Sequence, residues 1–443
     1  MNKKLMALAV AGAVTAPGLA LAQVGGTSGV TLYGRLDETI VNSKYSINGA
    51  GTTSEVKKSD VWSPGNALGV RGREDLGGGT SVWFQLETGV WPDGRLDSAA
   101  TSGQHFGGRN SGLGVSSGIG DIMFGGWDQP YKVAYGTWNS LTSGGFSAAG
   151  IIMGNGDTTG ALNNPNCGTA LNNGNGSITV GPNGVCATEV TSNGTAWSRR
   201  TNNSIQYWSP VFSGVQFRVG TALANYQSTD TAFPNGTPKP LVLSGNVTWA
   251  RGPVSVAGAF ETHKGLRPGL AAGQNANPKD TAVQIGGKWN FGLAEVGAGY
   301  EQLKYDDNGT ATGAMKVPSW VVNGRANAGP GAVWASYSKS QGGKSCNANQ
   351  TIGSAACGIQ VKMMTLGYDY VLSKRTKMYV AYNKIDNGFN GTVGTNYYYI
   401  AGPAGNVGGT AAGGGPVNTS GTASGISAGT DVTTIGLGLQ HTF

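Results

Sequence analysis

The chain has 443 residues, of which 77 are glycine, 12% are charged and 39% are hydrophobic, and its formal net charge is +7. A soluble domain usually carries about 25% charged residues and about 7% glycine, so an ordinary soluble enzyme fits poorly. The modest apolar share excludes a bundle of membrane-spanning helices, and the 11 Trp and 16 Tyr argue against a disordered chain.

Lys3 and Lys4 precede an apolar run over residues 5–14, which Pro17 and Gly18 break, and Ala20-Leu21-Ala22 is a small-x-small step before Gln23. About ten apolar residues are too few to span roughly 30 Å of hydrocarbon as a helix. Residues 1–22 are therefore expected to be a cleaved signal peptide, leaving residues 23–443 as the mature domain.

From residue 30 onward, alternation at period two dominates. In residues 30–37, Val30, Leu32, Gly34 and Leu36 share one face, while Thr31, Tyr33, Arg35 and Asp37 share the other. Residues 215–219 and 283–289 repeat the pattern. At the C-terminus Ile435, Leu437, Leu439, His441 and Phe443 fall on one side. Such segments are half-buried strands. Short turns are expected at 74–79, 117–120, 210–214, 251–253, 290–293, 327–331 and 372–375. Longer polar stretches lie at 42–59, 91–104, 128–198, 225–240, 262–280, 305–316, 340–358 and 386–430. Short turns alternating with long loops give sixteen strands, with both chain ends on the short-turn side, which is the layout of an outer-membrane barrel. Tyr207, Trp208, Trp289, Phe291, Tyr368 and Tyr370 lie near the short-turn ends, where aromatic rings suit the headgroup level. The nearly uncharged segment 386–430 reads as a weakly ordered external loop.

Cys167 and Cys186 lie in one Gly/Asn-rich stretch, Cys346 and Cys357 in another. Four cysteines allow three connectivities. Local pairing, Cys167–Cys186 and Cys346–Cys357, is the simplest because each closes a short loop. No Cys-x-x-Cys occurs and the three histidines stand far apart, so no metal site is expected.

Five segments carry a family resemblance: VTLYGRLD (30–37), LGVRGREDLGGGTSVWFQLETG (68–89), RTNNSIQYWSPVFSGVQFRVG (200–220), YDYVLSKRTKMYVAYNKID (368–386) and TTIGLGLQHTF (433–443). With them the chain resembles a Gram-negative general porin of the β-proteobacterial type. The resemblance implies an all-β, 16-stranded antiparallel transmembrane β-barrel whose third external loop folds into the lumen. It also implies a homotrimer among outer-membrane lipids, and Phe443 as a signal read by the barrel-insertion machinery during assembly. FGGWDQP (124–130) departs from the family, with Gly126 where a lumen arginine is usual, and the third loop, 128–198, is long.

Since apolar positions face lipid, alternate positions face the lumen. That phase turns Arg35, Asp37, Arg71, Arg73, Arg109, Arg200, Arg218, Lys288, Glu295 and Glu301 inward, with Asp128 at the root of the third loop. Inward arginines outnumber inward acids, and such a cluster concentrates anions in a low-dielectric tube. Inward Gly286, Gly297, Gly299, Gly436 and Gly438 suggest open space.

Residues 114–118 and 425–429 match G-x-S-x-G, but neither lies in a strand–turn–helix context, and no catalytic or cofactor site is expected. The scattered basic residues form no patch for nucleic acid. The reading is a passive diffusion channel for small hydrophilic solutes, with anions preferred, in the cell outer membrane of a Gram-negative bacterium. A substrate-specific channel is the alternative within the class. A barrel-anchored surface-binding protein and a barrel enzyme stand further off.

Overall fold

The computed structural model describes residues 29–49, 52–92, 107–141, 145–147, 153–155, 157–158, 179–181, 184–186, 197–223, 241–266, 275, 277–306, 314–341, 351–352, 355–356, 360–387, 397–400, 415–418 and 431–443. The expected signal peptide and Cys167, Cys346 and Cys357 lie outside these residues, as does the side chain of Cys186; the two expected pairings therefore do too.

One antiparallel sheet closes on itself. Its segments are β1 (Gly29–Gly49), β2 (Thr52–Trp62), β3 (Ala67–Gly77), β4 (Thr80–Thr88), β5 (Ser111–Ser117) and β6 (Gly120–Asp128). A helix, α1 (Pro130–Trp138), follows. Then come β7 (Ser198–Trp208), β8 (Val215–Leu223), β9 (Leu241–Arg251), β10 (Val254–Lys264), β11 (Lys279–Asn290) and β12 (Ala294–Tyr305). The last are β13 (Met315–Ala328), β14 (Gly331–Ser340), β15 (Val361–Val371), β16 (Thr376–Asn387) and β17 (Asp431–Thr442). β2 and β3 are two halves of one stave: β1 pairs with β2 over residues 39–49 and with β3 over residues 29–35. The barrel thus has sixteen staves.

The seven expected short turns all connect neighbouring antiparallel strands. Turn chemistry accounts for the tightest. Gly77, Gly78 and Gly79 all take positive φ in the β3–β4 turn, at 83°, 62° and 76°, where a Cβ would cost conformational energy. Closure joins the two chain ends. β1 residues 35–46 pair with β17 residues 431–442, and Gly34 and Phe443 exchange backbone hydrogen bonds of 3.1 Å in both directions. The Phe443 ring lies where a Cβ on Gly34 would sit, so glycine at that position admits the terminal ring.

Two expectations need correction. Residues 42–59 are not a loose loop. β1 and β2 continue as a paired hairpin from Thr39↔Trp62 to Gly49↔Thr52. The outward positions Asn42, Lys44, Lys57 and Ser59 are polar and exposed, while Thr39, Val41, Ser43 and Tyr45 are buried inward, so the strand lacks an apolar outward alternation. The eighth loop also holds structure: Tyr397–Ile400 pairs with Gly415–Asn418.

The faces follow the pleat. Val30, Leu32, Ile40, Leu113, Phe124, Phe217, Val283, Ile285, Leu366, Ile435 and Leu437 point outward and are exposed. Asp37, Thr39, Ser43, Asn323, Ser336, Asn383 and Thr434 point inward. An apolar outside around a polar inside inverts the soluble arrangement and is what a membrane barrel requires. Among the described residues no helix is long and apolar enough to cross a membrane.

Replacing Gly34 by Val should force the Phe443 ring from its seat and open the seam between β1 and β17. Deleting Phe443 should do the same. The fraction of protein that migrates as a heat-modifiable folded band, measured after refolding into detergent, is expected to fall in both variants; an unchanged fraction would mean that the seam does not depend on the ring.

Candidate functional site: the pore lining and the seat of the third loop

The third loop leaves the wall at Asp128 and crosses the lumen. Pro130 opens α1, where its missing N–H costs nothing. The helix is then tied to β9 and β11 by side chains that reach its backbone. Ser244 Oγ accepts from the Tyr131 N–H at 2.9 Å, Asn246 donates to the Pro130 carbonyl at 2.6 Å, and Gln284 donates to the Tyr131 carbonyl at 2.7 Å. At its root Gln129 donates to Thr201 and to Ser204 at 3.0 Å, across a bulge in β7.

Glu301 gathers the loop. Its carboxylate accepts from Tyr131 Oη at 2.8 Å, Tyr135 Oη at 2.5 Å and the Gly154 N–H at 2.8 and 3.0 Å. It is fully buried, as are both rings. Burial, and then the charge of Glu301, holds the Tyr131 and Tyr135 hydroxyls well above the ordinary phenol pKa, so both stay donors. Beyond α1, Ser140 N–H donates to Asn323 at 2.8 Å and Thr365 donates to the Phe146 carbonyl at 3.2 Å. The returning arm stacks Trp197 on His263 with ring centroids 3.8 Å apart, and its indole N–H donates to Tyr305 Oη at 3.1 Å.

The inward glycines do not leave open water. A Cβ on Gly286, Gly297 or Gly299 would run into Trp138, and one on Gly436 would press on Phe146 and Thr39. One on Gly438 would overlap Tyr379. The sequence pattern expected space; the structure uses that space to admit loop and wall aromatics. The missing side chains are a seat.

The remaining inward charges form a belt. Arg109 Nε meets Glu87 Oε1 at 2.5 Å, and Tyr33 Oη donates to Glu87 Oε2 at 3.0 Å. Arg200 meets Asp128 at 3.2 Å and donates to Asn110 at 2.6 Å, while Lys132 of α1 lies 3.5 Å from the same Asp128. Lys288 pairs with Glu295 at 3.3 Å. Arg325 and Lys377 share Asp369, at 2.7 and 3.3 Å. Asp37 accepts from Tyr379 and Gln440, at 2.7 and 2.8 Å.

Two arginines are held by neutral groups. Arg35 donates to the Pro64 and Gly65 carbonyls, at 3.3 and 2.7 Å, in the gap between β2 and β3. Arg218 donates to Gln216 and lies 5.0 Å over the Trp208 ring. Arg71 lies 5.0 Å over Tyr33, and Arg73 is exposed near the short-turn rim.

The nine residues expected at the pore are thus distributed among three environments. Arg35, Asp37, Arg71, Arg109, Asp128 and Arg200 sit on one side of the wall, from β1 to β7. Arg73 and Arg218 lie nearer the short-turn end. Glu301 lies under α1 and serves as its anchor. Sequence reasoning passed over Glu87, Arg325, Asp369 and Lys377. Asp369 and Lys377 could have been found by extending the phase of outward Leu366 and Val380 to their inward neighbours, and Arg325 and Glu87 by extending that of outward Val322 and Leu86. It also placed Trp208 at the membrane surface. Tyr207 faces outward, so the pleat sends Trp208 inward. There it stacks with Trp83 at 5.7 Å and tilts against Trp127 at 5.5 Å.

A sequence model of the Gram-negative porins matches residues 7–391. The chain belongs to the Gram-negative porin family. It is 28% identical over 393 residues to outer membrane porin protein 32 of Delftia acidovorans, covering 86% of this chain and 88% of that one. An outer membrane porin of Bordetella pertussis is 25% identical, over 79% of this chain and 87% of its own. Among solved structures, an anion-selective porin from Comamonas acidovorans superposes with a TM-score of 0.60 at 22% identity, covering 94% of this chain and all of that one. OmpT of Vibrio cholerae superposes with a TM-score of 0.56 at 13% identity, covering 95% of this chain and all of its own. The porin is therefore a passive channel of the outer membrane, crossed by strands and narrowed within by its third loop.

Glu301→Gln should loosen that loop, because an amide carries one acceptor oxygen where the carboxylate offers two. A hydrogen bond to a charged group is worth about 1.5–3 kcal/mol, so two or three weakened bonds should let the loop fluctuate. Gly299→Val should act from the other side by displacing Trp138. Noisier open-channel current in planar bilayers, with altered mean conductance, is the expected outcome for both; wild-type traces from both would show that the seat does not hold the loop.

Proposed function

We propose that this porin passes small hydrophilic solutes down their gradient with a preference for anions. The observation that carries the reading is the state of Arg35 and Arg218. Each points into the lumen and donates to neutral acceptors, so its charge is not cancelled by a contacting carboxylate. The ion pairs of Arg109 and Arg200 leave little field, whereas these two add to it. Asp369 faces two cations, which again leaves a positive remainder. Arginine keeps its charge at every physiological pH, and low-dielectric walls screen it less than open water does. That a porin of the same fold is anion-selective is consistent with the reading.

Further parts of the proposal rest on the family. The mature chain begins near Gln23 after removal of residues 1–22, three copies assemble in the membrane, and Phe443 is read during insertion. The channel reading leaves no role for an enzyme site. Reversal potentials across asymmetric salt are the test of selectivity. Arg35→Ser with Arg218→Ser should lower the anion-to-cation permeability ratio at low salt. The effect should shrink toward 1 M salt, where the Debye length falls to about 3 Å. Arg109→Ser, which bares Glu87, should lower the ratio as well. Cation preference of the unaltered protein at low salt would defeat the proposal.

A further inference from the structure

A second aromatic group lines the lumen, away from the seat of the third loop. Trp83 of β4, Met123 and Trp127 of β6 and Trp208 of β7 form a buried apolar cluster of their own. The pleat turns them inward, because Leu86, Ile122, Phe124 and Ile205 on the same strands face out and are exposed. Trp83 stacks on Trp208 with ring centroids 5.7 Å and planes 21° apart, and Trp127 meets the two rings at 5.7 and 5.5 Å. The strand between them, β5, makes the room. Gly114 is directly opposite Trp83, and a Cβ there would overlap the indole; a Cβ on Gly112 would come within 2.7 Å of Met123 Cε.

A barrel of this size leaves an aqueous channel, so the closed sheet has no need of a core, and these rings take their space from the water. Their place in the wall matters. Beyond its root the third loop is held by β9, β11, β13 and β15, and its Phe146 meets Trp62 of β2. The cluster stands on β4 to β7, the arc that those contacts leave. Its depth differs too. Trp208 ends β7 at the short-turn side, and Trp83 lies in the first half of β4, just past the β3–β4 turn. Charge flanks it on both sides: Arg73 is directly opposite Trp83, and Arg218 is opposite Trp208, over whose ring it lies at 5.0 Å. Trp208 is also tied to the root of the loop. Its indole N–H donates to Gln206 at 3.0 Å, and the Gln206 amide donates to the Asp128 carbonyl at 3.1 Å.

We infer that this cluster is a second constriction, in series with the third loop on its short-turn side, and that Trp83 sets its width for permeating solutes. Rings packed face to face and edge to face from three strands move only with the wall that carries them. The filter they form therefore has a fixed width, and it sorts solutes by cross-section. Slender hydrophilic solutes pass between the cluster and the facing wall, whereas branched or bulky ones are turned away even where the loop would admit them. Trp83 is the member to test, because Trp208 also supports the loop root through Gln206. The inference rests on the passive-channel reading and is independent of the preference for anions.

The test uses the full chain in planar bilayers, with polyethylene glycols of graded mass added to one side at a time. A polymer that enters a mouth lowers the conductance, and one that is excluded leaves it unchanged. Trp83→Ala should raise the conductance and shift the exclusion limit measured from the short-turn side to larger polymers. The limit from the long-loop side and the current noise should stay as in the unaltered protein. Gly114→Val, which drives the indole further into the lumen, should shift the short-turn limit to smaller polymers. An unchanged short-turn limit in Trp83→Ala would overturn the inference. So would noisier current with a shifted limit on the long-loop side, because the effect would then lie in the loop. Where these variants fail to fold, the unaltered protein decides: polymers too large to pass the loop should be excluded from the short-turn mouth as well, and their free entry there would overturn the inference. Reversal potentials read the charge preference separately, and a folded protein that conducts no current would defeat the channel reading itself.

Discussion

A backbone amide or carbonyl in hydrocarbon has no water to turn to, and each unsatisfied group costs several kcal/mol. The rest of the molecule depends on that constraint. It forces the sheet to close, and closure requires that the first and last strands meet, which they do through β1 and β17 and the reciprocal Gly34–Phe443 bonds. Once the ladder is complete, the side chains are released from any duty to the backbone. Alternate positions can then be chosen for two different solvents. Outward positions satisfy lipid; inward positions satisfy water and each other.

The loop inside the barrel obeys a related rule. A segment that leaves the sheet carries its own backbone groups into the lumen, and they must be paired where water is excluded. The wall supplies the partners: Ser244, Asn246, Gln284, Asn323 and Thr365 each bond a backbone atom of the loop. Glu301 adds the charged acceptor for two phenols and an amide. The seat is therefore polar at its contacts and glycine-lined where Trp138 enters. A buried carboxylate with fewer donors would be costly. Three donors make it tenable, and removing any one leaves the others to carry the charge.

How far this was legible in the sequence divides along physical lines. Strand phase is local, so alternation and turn chemistry were enough to read the barrel, its staves and all seven short turns. The β1–β2 hairpin escaped because its outward positions, Asn42, Lys44, Lys57 and Ser59, are polar, which erases the apolar alternation that marks a lipid-facing strand. Trp208 was misplaced because aromatic content was weighed without the pleat. The glycines at 286, 297 and 299 were read as empty because nothing near them in the chain announces Trp138, which arrives from well over a hundred residues away. The inward direction of Glu301 was legible from phase, but its partners were not, since they lie on a loop whose path is set by tertiary contacts.

The same register carries three chemistries at once, and this explains how a chain with 12% charged residues can be electrostatically specific. Charge is absent from the outward midplane, where it is most expensive. Charges are therefore concentrated inside the lumen and along the outer rim. Inside, what matters is the balance within each contact. An arginine bonded to a carboxylate presents a dipole, whose field falls off steeply. An arginine bonded to a carbonyl, as Arg35 is to those of Pro64 and Gly65, presents a full charge held in a fixed place. The gap between β2 and β3 supplies those carbonyls, because backbone groups that leave the ladder there need donors. Arg35 thus satisfies an interruption in the sheet and stays positive in doing so, and the defect that bends the second stave also fixes a charge in the pore.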